Sequence, residues 1–277
     1  MKNIFQFCFG TKKKGGILFF LIFIGAGSTC QVLNIDRATD EDTTGKKKWL
    51  ISAIFNLSSD KQKNNLIDIS SNLELDRVFK NKYVLTTLFQ NDALFNGGSS
   101  IQNEGLMQAR YLDKETRKNS IEGVVQYQWN GVWGMEYRKI AGANFRHKII
   151  DKKQVNIYSA TGFFYELERW NWKGVKDESL IPVNAPDIYK DRLRFNNYLK
   201  LAWKPSDKID VAATSYLQFQ LNNNFFKPRW FFDSNIYFNV EKHIGFTIHW
   251  DHIIDDDRPV PIDNFYYSFS FGVQLKY

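Results

Sequence analysis

Two groupings along the chain have residue types and spacing that suggest chemistry. His249 and Asp251 stand two residues apart, which puts both on one face of a strand near its outer rim, and a histidine beside an orienting carboxylate is the base half of a hydrolytic site. Asp255, Asp256 and Asp257 form an acidic run, with Asp251 and Asp263 nearby, and hard cations such as calcium take several oxygen ligands of this kind. Neither grouping is completed. No serine-centred nucleophile elbow, HExxH helix or phosphate loop accompanies the histidine, and the chain has only four histidines to draw on. The acidic run lacks the spaced ligands and the glycine of a calcium loop, so it reads as a solvated loop. No catalytic residue, metal site or cofactor is assigned, and the chain is read as a non-enzyme.

The elements that would position these residues are strands. Period-two alternation recurs along the chain far more often than a period of 3.6. Ile51, Ala53, Phe55 and Leu57 alternate with Ser52 and Asn56, and Val155, Ile157, Phe163, Tyr165 and Leu167 oppose Asn156, Glu166 and Glu168. Ile209, Val211, Ala213, Leu217, Phe219 and Leu221 alternate with Asp210, Thr214, Gln218, Gln220 and Asn222. The pattern predicts twelve strands, starting near Trp49, Leu66, Tyr83, Glu104, Ser120, Val132, Val155, Arg192, Ile209, Arg229, Ile244 and Asn264, or ten if one hairpin is misread. Short turns are expected at 77–82, 113–119, 151–154, 204–208 and 241–243, and long connections at 91–103, 169–190 and 255–263. Asn130-Gly131 is the exception among the latter, a dipeptide suited to a two-residue type I′ hairpin.

The first thirty residues are a separate matter. Lys12, Lys13 and Lys14 precede an apolar run from Ile17 to Ile24, followed by Gly25, Ala26, Gly27, Ser28 and Thr29. That order of charge, apolar run and small residues is a secretory signal peptide. The run is about half the length a membrane-spanning helix needs. Cleavage is expected after Cys30, with lipidation of Cys30 as the alternative, disfavoured by Thr29 before it. The domains are therefore a signal peptide over 1–30, a short periplasmic segment over 31–45 and a β-barrel over 46–277. Removing Lys2, Lys12, Lys13 and Lys14 lowers the net charge of +7 by four, to +3. The basic balance thus gives no support to nucleic-acid binding. Cys8 and Cys30, the two cysteines, fall in or at the edge of the removed part, so disulfides and thiolate metal sites are excluded.

What remains combines a negative mean hydropathy with an aromatic content of 16%. No apolar run after Ile24 is long enough to span a bilayer as a helix, so insertion must be by strands closed on themselves. Short turns at one end and long loops at the other, with both termini at the short-turn end, are the asymmetry of an outer-membrane barrel. Trp49, Tyr83, Trp129, Trp133, Trp203, Trp230 and Trp250 lie near strand ends, where amphipathic rings sit at headgroup level. The fold class is all-β, a transmembrane antiparallel up-and-down barrel in the outer membrane of a Gram-negative cell. If the apolar faces meet lipid, the lumen is lined by Arg110, Glu122, Glu136, Arg138, Arg146, Glu166, Glu168, Arg192 and Arg194. Interleaved signs on neighbouring strands favour mutual pairing that fills the interior, against a charged constriction selecting a solute by sign.

Four stretches narrow the identification: NEGLMQARY from Asn103, EGVVQYQWN from Glu122, EYRKIAGANFRHKI from Glu136 and ATGFFYELERW from Ala160. Together they resemble the salt-induced outer membrane proteins, a bacterial family whose domain has no established function. DDDRPVPIDNFYYSFSFGVQLKY from Asp255 is similar to that family's ending, and QVLNIDR from Gln31 to mature starts among its Bacteroidota members. The resemblance implies an outer-membrane barrel with no catalytic residues. One departure is visible: family members often carry a histidine before the Arg-Tyr pair, where this chain has Gln108-Ala109 before Arg110-Tyr111. The resemblance to outer-membrane proteins also implies that the alternating last strand, Phe265, Tyr267, Phe269, Phe271, Val273, Leu275 and the final Tyr277, is the assembly signal. The expected partners are outer-membrane lipid and, during biogenesis, periplasmic chaperones and the barrel-assembly machinery, with no nucleic acid and a monomeric state. Three functions fit: a narrow channel or transporter for small solutes or ions, a closed structural or envelope-interaction barrel, and, furthest from the residues, an outer-membrane hydrolase.

Overall fold

Alternation along each strand can bury one face only if the sheet curls around it, and that is how the chain folds. The computed structural model describes residues 49–61, 65–79, 83–96, 99–113, 118–221, 227–241 and 244–276. The signal peptide, Cys30, the 31–45 segment and Tyr277 lie outside the described residues. Within them are β1 (Trp49–Lys61), β2 (Asn65–Phe79), β3 (Tyr83–Asn96), β4 (Ser99–Asp113), β5 (Asn119–Asn130) and β6 (Met135–Asp151). They continue with β7 (Val155–Trp170), β8 (Ile188–Ser206), β9 (Ile209–Gln220), β10 (Arg229–Asn239), β11 (Ile244–Asp255) and β12 (Phe265–Lys276). Each strand pairs antiparallel with its neighbours in sequence, and β12 returns to β1 through Ser52↔Lys276 and Ala53↔Leu275 to close the barrel. Strands run from 11 residues in β10 to 19 in β8, longer than the roughly 9–11 that cross a bilayer, so the walls project beyond it. No described helix is long and apolar enough to cross a membrane.

The sheet is greasy outside and polar inside. Ile121, Val125, Phe145, Phe163 and Leu199 are exposed on the outer face, while Arg110, Glu122, Glu166, Arg194 and Asn196 are buried within. The alternation is nearly unbroken on β7, where Phe164, Glu166 and Glu168 are buried and Phe163, Tyr165 and Leu167 exposed. Rings collect at both rims of the outer face. At the end carrying both termini, Phe79 stacks on Tyr83 at 4.9 Å, Tyr83 meets Tyr111 at 5.5 Å, and Arg77 lies over Trp49 and Phe79 at 4.6 and 4.7 Å. At the opposite end, Trp230, Phe232, Trp250 and Phe265 surround His252.

The connections differ between the two ends. At the terminal end they are short, over 80–82, 114–118, 152–154, 207–208 and 240–243, whereas the far end carries the long segments 171–187 and 256–264. Three sequence expectations are corrected there. The connection expected over 91–103 is mostly strand, since β3 runs to Asn96 and β4 resumes at Ser99; Asp92 and Glu104 pair in register and point into a polar interior that accepts them. Asn130-Gly131 is no two-residue hairpin. Residues 131–134 form the link, the Asn130 side chain accepts from the Trp133 N–H at 2.9 Å, and Gly134 takes the positive φ of 77° that glycine permits. Trp133 consequently leaves the headgroup level and is buried inside the far mouth.

Phe163 sits at the middle of β7 on the outer face, 51% exposed and 5.3 Å from the Phe195 ring. A Phe163→Arg variant should lose about 2–4 kcal/mol of stability in urea unfolding from vesicles, the cost of an arginine at the bilayer midplane. An unchanged midpoint would show that this face does not meet lipid.

Candidate functional site

Interior side chains form rows that climb from strand to strand. One row reads Arg110, Val124, Gly142, Phe164, Arg194 and Gln220, and a second Gln108, Gln126, Ile140, Glu166 and Arg192. Large and small residues alternate within them. A Cβ on Gly142 would run into Phe164, so the glycine is what lets that ring lie against the wall. Gly162 makes room in the same way beside Asn144.

From these rows, long polar side chains reach across the lumen. Arg229 of β10 donates to Asp255 of β11 at 2.7 Å and, skipping two strands, to Glu166 of β7 at 2.9 Å, with Glu168 at 3.5 Å. Arg138 of β6 donates to Glu166 and lies 3.3 Å from Glu168, while Arg194 donates to Glu166 at 3.0 Å and Arg192 approaches Glu168 at 3.3 Å. Nearer the terminal end, Arg110 pairs with Glu122, whose other oxygen accepts from the Tyr198 hydroxyl of β8 at 2.6 Å. Arg146 lies over the Tyr158 ring at 3.8 Å, and Asn196 donates to Asn144 at 3.0 Å. Side chains of β4 through β8, β10 and β11 thus meet inside the barrel, and Glu166, Arg194 and Asn196 have no accessible surface at all. An unpaired charge in such surroundings is expensive, which explains why each guanidinium is matched to a carboxylate or a ring.

Above this network an apolar cluster lies at the far mouth. Trp133, Trp170, Val175 and Val260 are buried together, with Trp172, Ile181, Ile262 and Tyr266 packed against them. Trp133 meets Tyr266 at 4.9 Å, and the Arg258 guanidinium lies 4.6 Å from one ring and 4.5 Å from the other. Lys176 of the 171–187 segment pairs with Asp263 of the 256–264 segment, which raises the Lys176 pKa above its ordinary value. Asp177 accepts from the Ser179 backbone and hydroxyl, so its carboxyl falls below the usual range.

Eight of the nine residues expected to line the lumen lie inside it: Arg110, Glu122, Arg138, Arg146, Glu166, Glu168, Arg192 and Arg194. Glu136 does not. The β6–β7 register slips between Met135 and Tyr137, and Glu136, the extra residue, turns to the rim, where Arg169 approaches it at 2.8 Å and Asn171 at 3.1 Å. Asp255, Asp256 and Asp257 separate instead of converging: Asp255 accepts from Arg229, Asp256 from Asn264, and Asp257 lies 3.7 Å from Arg192. No group of three or more potential metal ligands occurs among the described residues. His249 lies mid-strand rather than at the rim, and its Nε2 is 2.7 Å from Asp233 and 3.6 Å from Asp251. Of the last strand, Phe265, Tyr267, Phe269, Phe271 and Val273 face outward. Sequence reasoning missed Arg229 and Tyr198. Both stand at polar-face positions of alternating strands, but which residues cross the lumen depends on the tilt of the rows.

No family model matches the chain, and no curated protein does. Among solved structures, the chain is similar to the NanC porin at 11% identity and a TM-score of 0.46, over 83% of this chain and 99% of that one. The translocator domain of the autotransporter NalP from Neisseria meningitidis gives 10% and 0.46, over 83% and 88%, and the KdgM porin 8% and 0.40, over 83% and 99%. Likeness of this degree decides nothing about solute or task.

Arg229→Ala would leave Glu166 and Asp255 buried without a shared partner. It should cost about 3–5 kcal/mol in urea unfolding, as for the loss of one member of a buried ion pair. Lys176→Ala, which removes an exposed pair, should leave the midpoint unchanged. Equal effects of the two would contradict the burial of the network.

Proposed function

We propose that the chain is a Gram-negative outer-membrane β-barrel whose lumen is shut in its resting state, with the terminal end in the periplasm and the long segments outside. The lipid-facing apolar wall, the rings at both rims and the short-turn, long-loop asymmetry support the placement. The short-motif resemblance to the salt-induced outer membrane proteins points the same way. The bridge from Arg229 to Glu166 carries the closed state: it joins β10 to β7 through the lumen at 2.9 Å, with the two side chains 1% and 0% exposed. A hydrophilic solute passing this level would have to displace it.

This favours an envelope barrel acting through its outer segments over a permanently open pore. Catalysis has no place in the reading, since His249 is held by Asp233 within the closed interior. Wild-type protein refolded into a planar bilayer should show no steady conductance, and Glu166→Ala combined with Arg229→Ala should produce discrete open steps. Steady ohmic conductance through the wild type would overturn the closed state.

A further inference from the structure

Among the described residues of the far end, the segment 256–264 is the piece that touches both the charged network and the apolar cluster above it. At its start, the Asp255 N–H donates to the Asn264 carbonyl at 2.9 Å, pinching the base of the loop. Asp257 then reaches down to Arg192 at 3.7 Å, Arg258 enters the clamp of Trp133 and Tyr266, Val260 is buried in the cap, and Asp263 pairs with Lys176. Pro259 and Pro261 fix φ on either side of Val260, and the Ile262 N–H returns to the Val260 carbonyl at 2.8 Å. A pinched base and a stiffened tip make a strap that moves as a unit.

Among the described ion pairs beneath the strap the charges balance. Arg138, Arg192, Arg194 and Arg229 face Glu166, Glu168, Asp255 and Asp257, and only Asp257 belongs to the strap. Lifting the strap removes that carboxylate and leaves one guanidinium in excess, and Arg192, 3.3 Å from Glu168 and 4.0 Å from Glu166, then draws on the two carboxylates that hold the Arg229 bridge and loosens it. Arg194 sharpens the imbalance: it is wholly buried, its Nε donates to Glu166, and its Nη1 and Nη2 have no hydrogen-bond acceptor among the described residues.

We propose that Asp257 is a built-in surrogate for an anionic solute: its carboxylate holds the Arg192 site while the strap is down, and a small oxyanion competing for that site lifts the strap and enters. The ligand class follows from guanidinium chemistry, since planar donor forks match carboxylate and phosphate oxygens. The inference rests on the closed-lumen reading, because a strap matters only over a shut barrel.

Asp257→Asn keeps the shape of the side chain and removes its charge. In planar bilayers it should convert the silent wild type into a conducting barrel, with its reversal potential in a KCl gradient displaced toward that of chloride. Adding Arg192→Ala should abolish that displacement. In the wild-type background, Val260→Cys should label slowly with a water-soluble maleimide and faster as inorganic phosphate is raised at constant ionic strength. Asp257→Asn that migrates on gels as a folded barrel yet stays silent, or that opens with a potassium preference, overturns the strap while leaving the closed-lumen reading intact. If Asp257→Asn does not fold, the labelling decides: acceleration by phosphate supports the surrogate, and an unchanged rate overturns it. Steady conductance of the wild type would instead bring down the closed-lumen reading itself.

Discussion

The Arg229 guanidinium serves three carboxylates at once, Asp255 beside it and Glu166 and Glu168 on the far side of two intervening strands. A planar cation with five donors is suited to this, and a lysine would not be. Glu166 in turn is the meeting point of Arg138, Arg194 and Arg229, so the far half of the lumen hangs on one carboxylate. Such a cluster need not be stabilising relative to an apolar filling of the same volume. What it does is fix which strands face each other, because a one-residue slip would move Glu166 to the lipid face and strand its partners.

Much of this fold was legible because the barrel obeys a rule the sequence can express. Strand starts at Trp49, Tyr83, Val155, Ile209, Arg229 and Ile244 coincide with the expected ones, because clean alternation between short turns leaves little choice. Sequence and structure part where polar strand residues resemble loop. Asn91, Asp92 and Gln102 read as a connection, yet a polar lumen makes such residues ordinary strand members. Parity points Glu136 inward, and parity fails at a bulge, which no composition signal announces. Trp133 shows the same limit from the other side: an aromatic near a strand end suits the headgroups, but its backbone N–H is held by Asn130 and its ring drawn inward.

The network was legible only in part. Alternation says which side chains point inward but not which will touch, because contact across the lumen depends on how steeply the rows climb. Tyr198 and Glu122 are 76 residues apart and three strands removed, and meet only because the row from Arg146 to Tyr198 rises across the barrel. Gly142 and Gly162 show that the sequence anticipates the crowding. Glycine weakens a strand, and at these positions it is tolerated because Phe164 and Asn144 occupy the space a side chain would fill.

Closing a wide barrel with side chains differs physically from closing it with a folded plug. Twelve strands enclose more room than a small barrel can fill with ordinary apolar side chains, so the interior is spanned by arginine, glutamate and tyrosine, the residues long enough to reach. These groups are ordered by ion pairs and rings, and they can rotate away without breaking a backbone hydrogen bond of the wall. The wall is then free to be rigid, as the bilayer demands, while the lumen keeps the capacity to rearrange. The cap completes that division of labour: it is held by apolar burial and by Arg258 between two rings, contacts that carry no ladder of their own. On the closed-lumen reading proposed above, a barrier of side chains and outer segments can open by local motion, at a small fraction of the cost of disturbing the sheet.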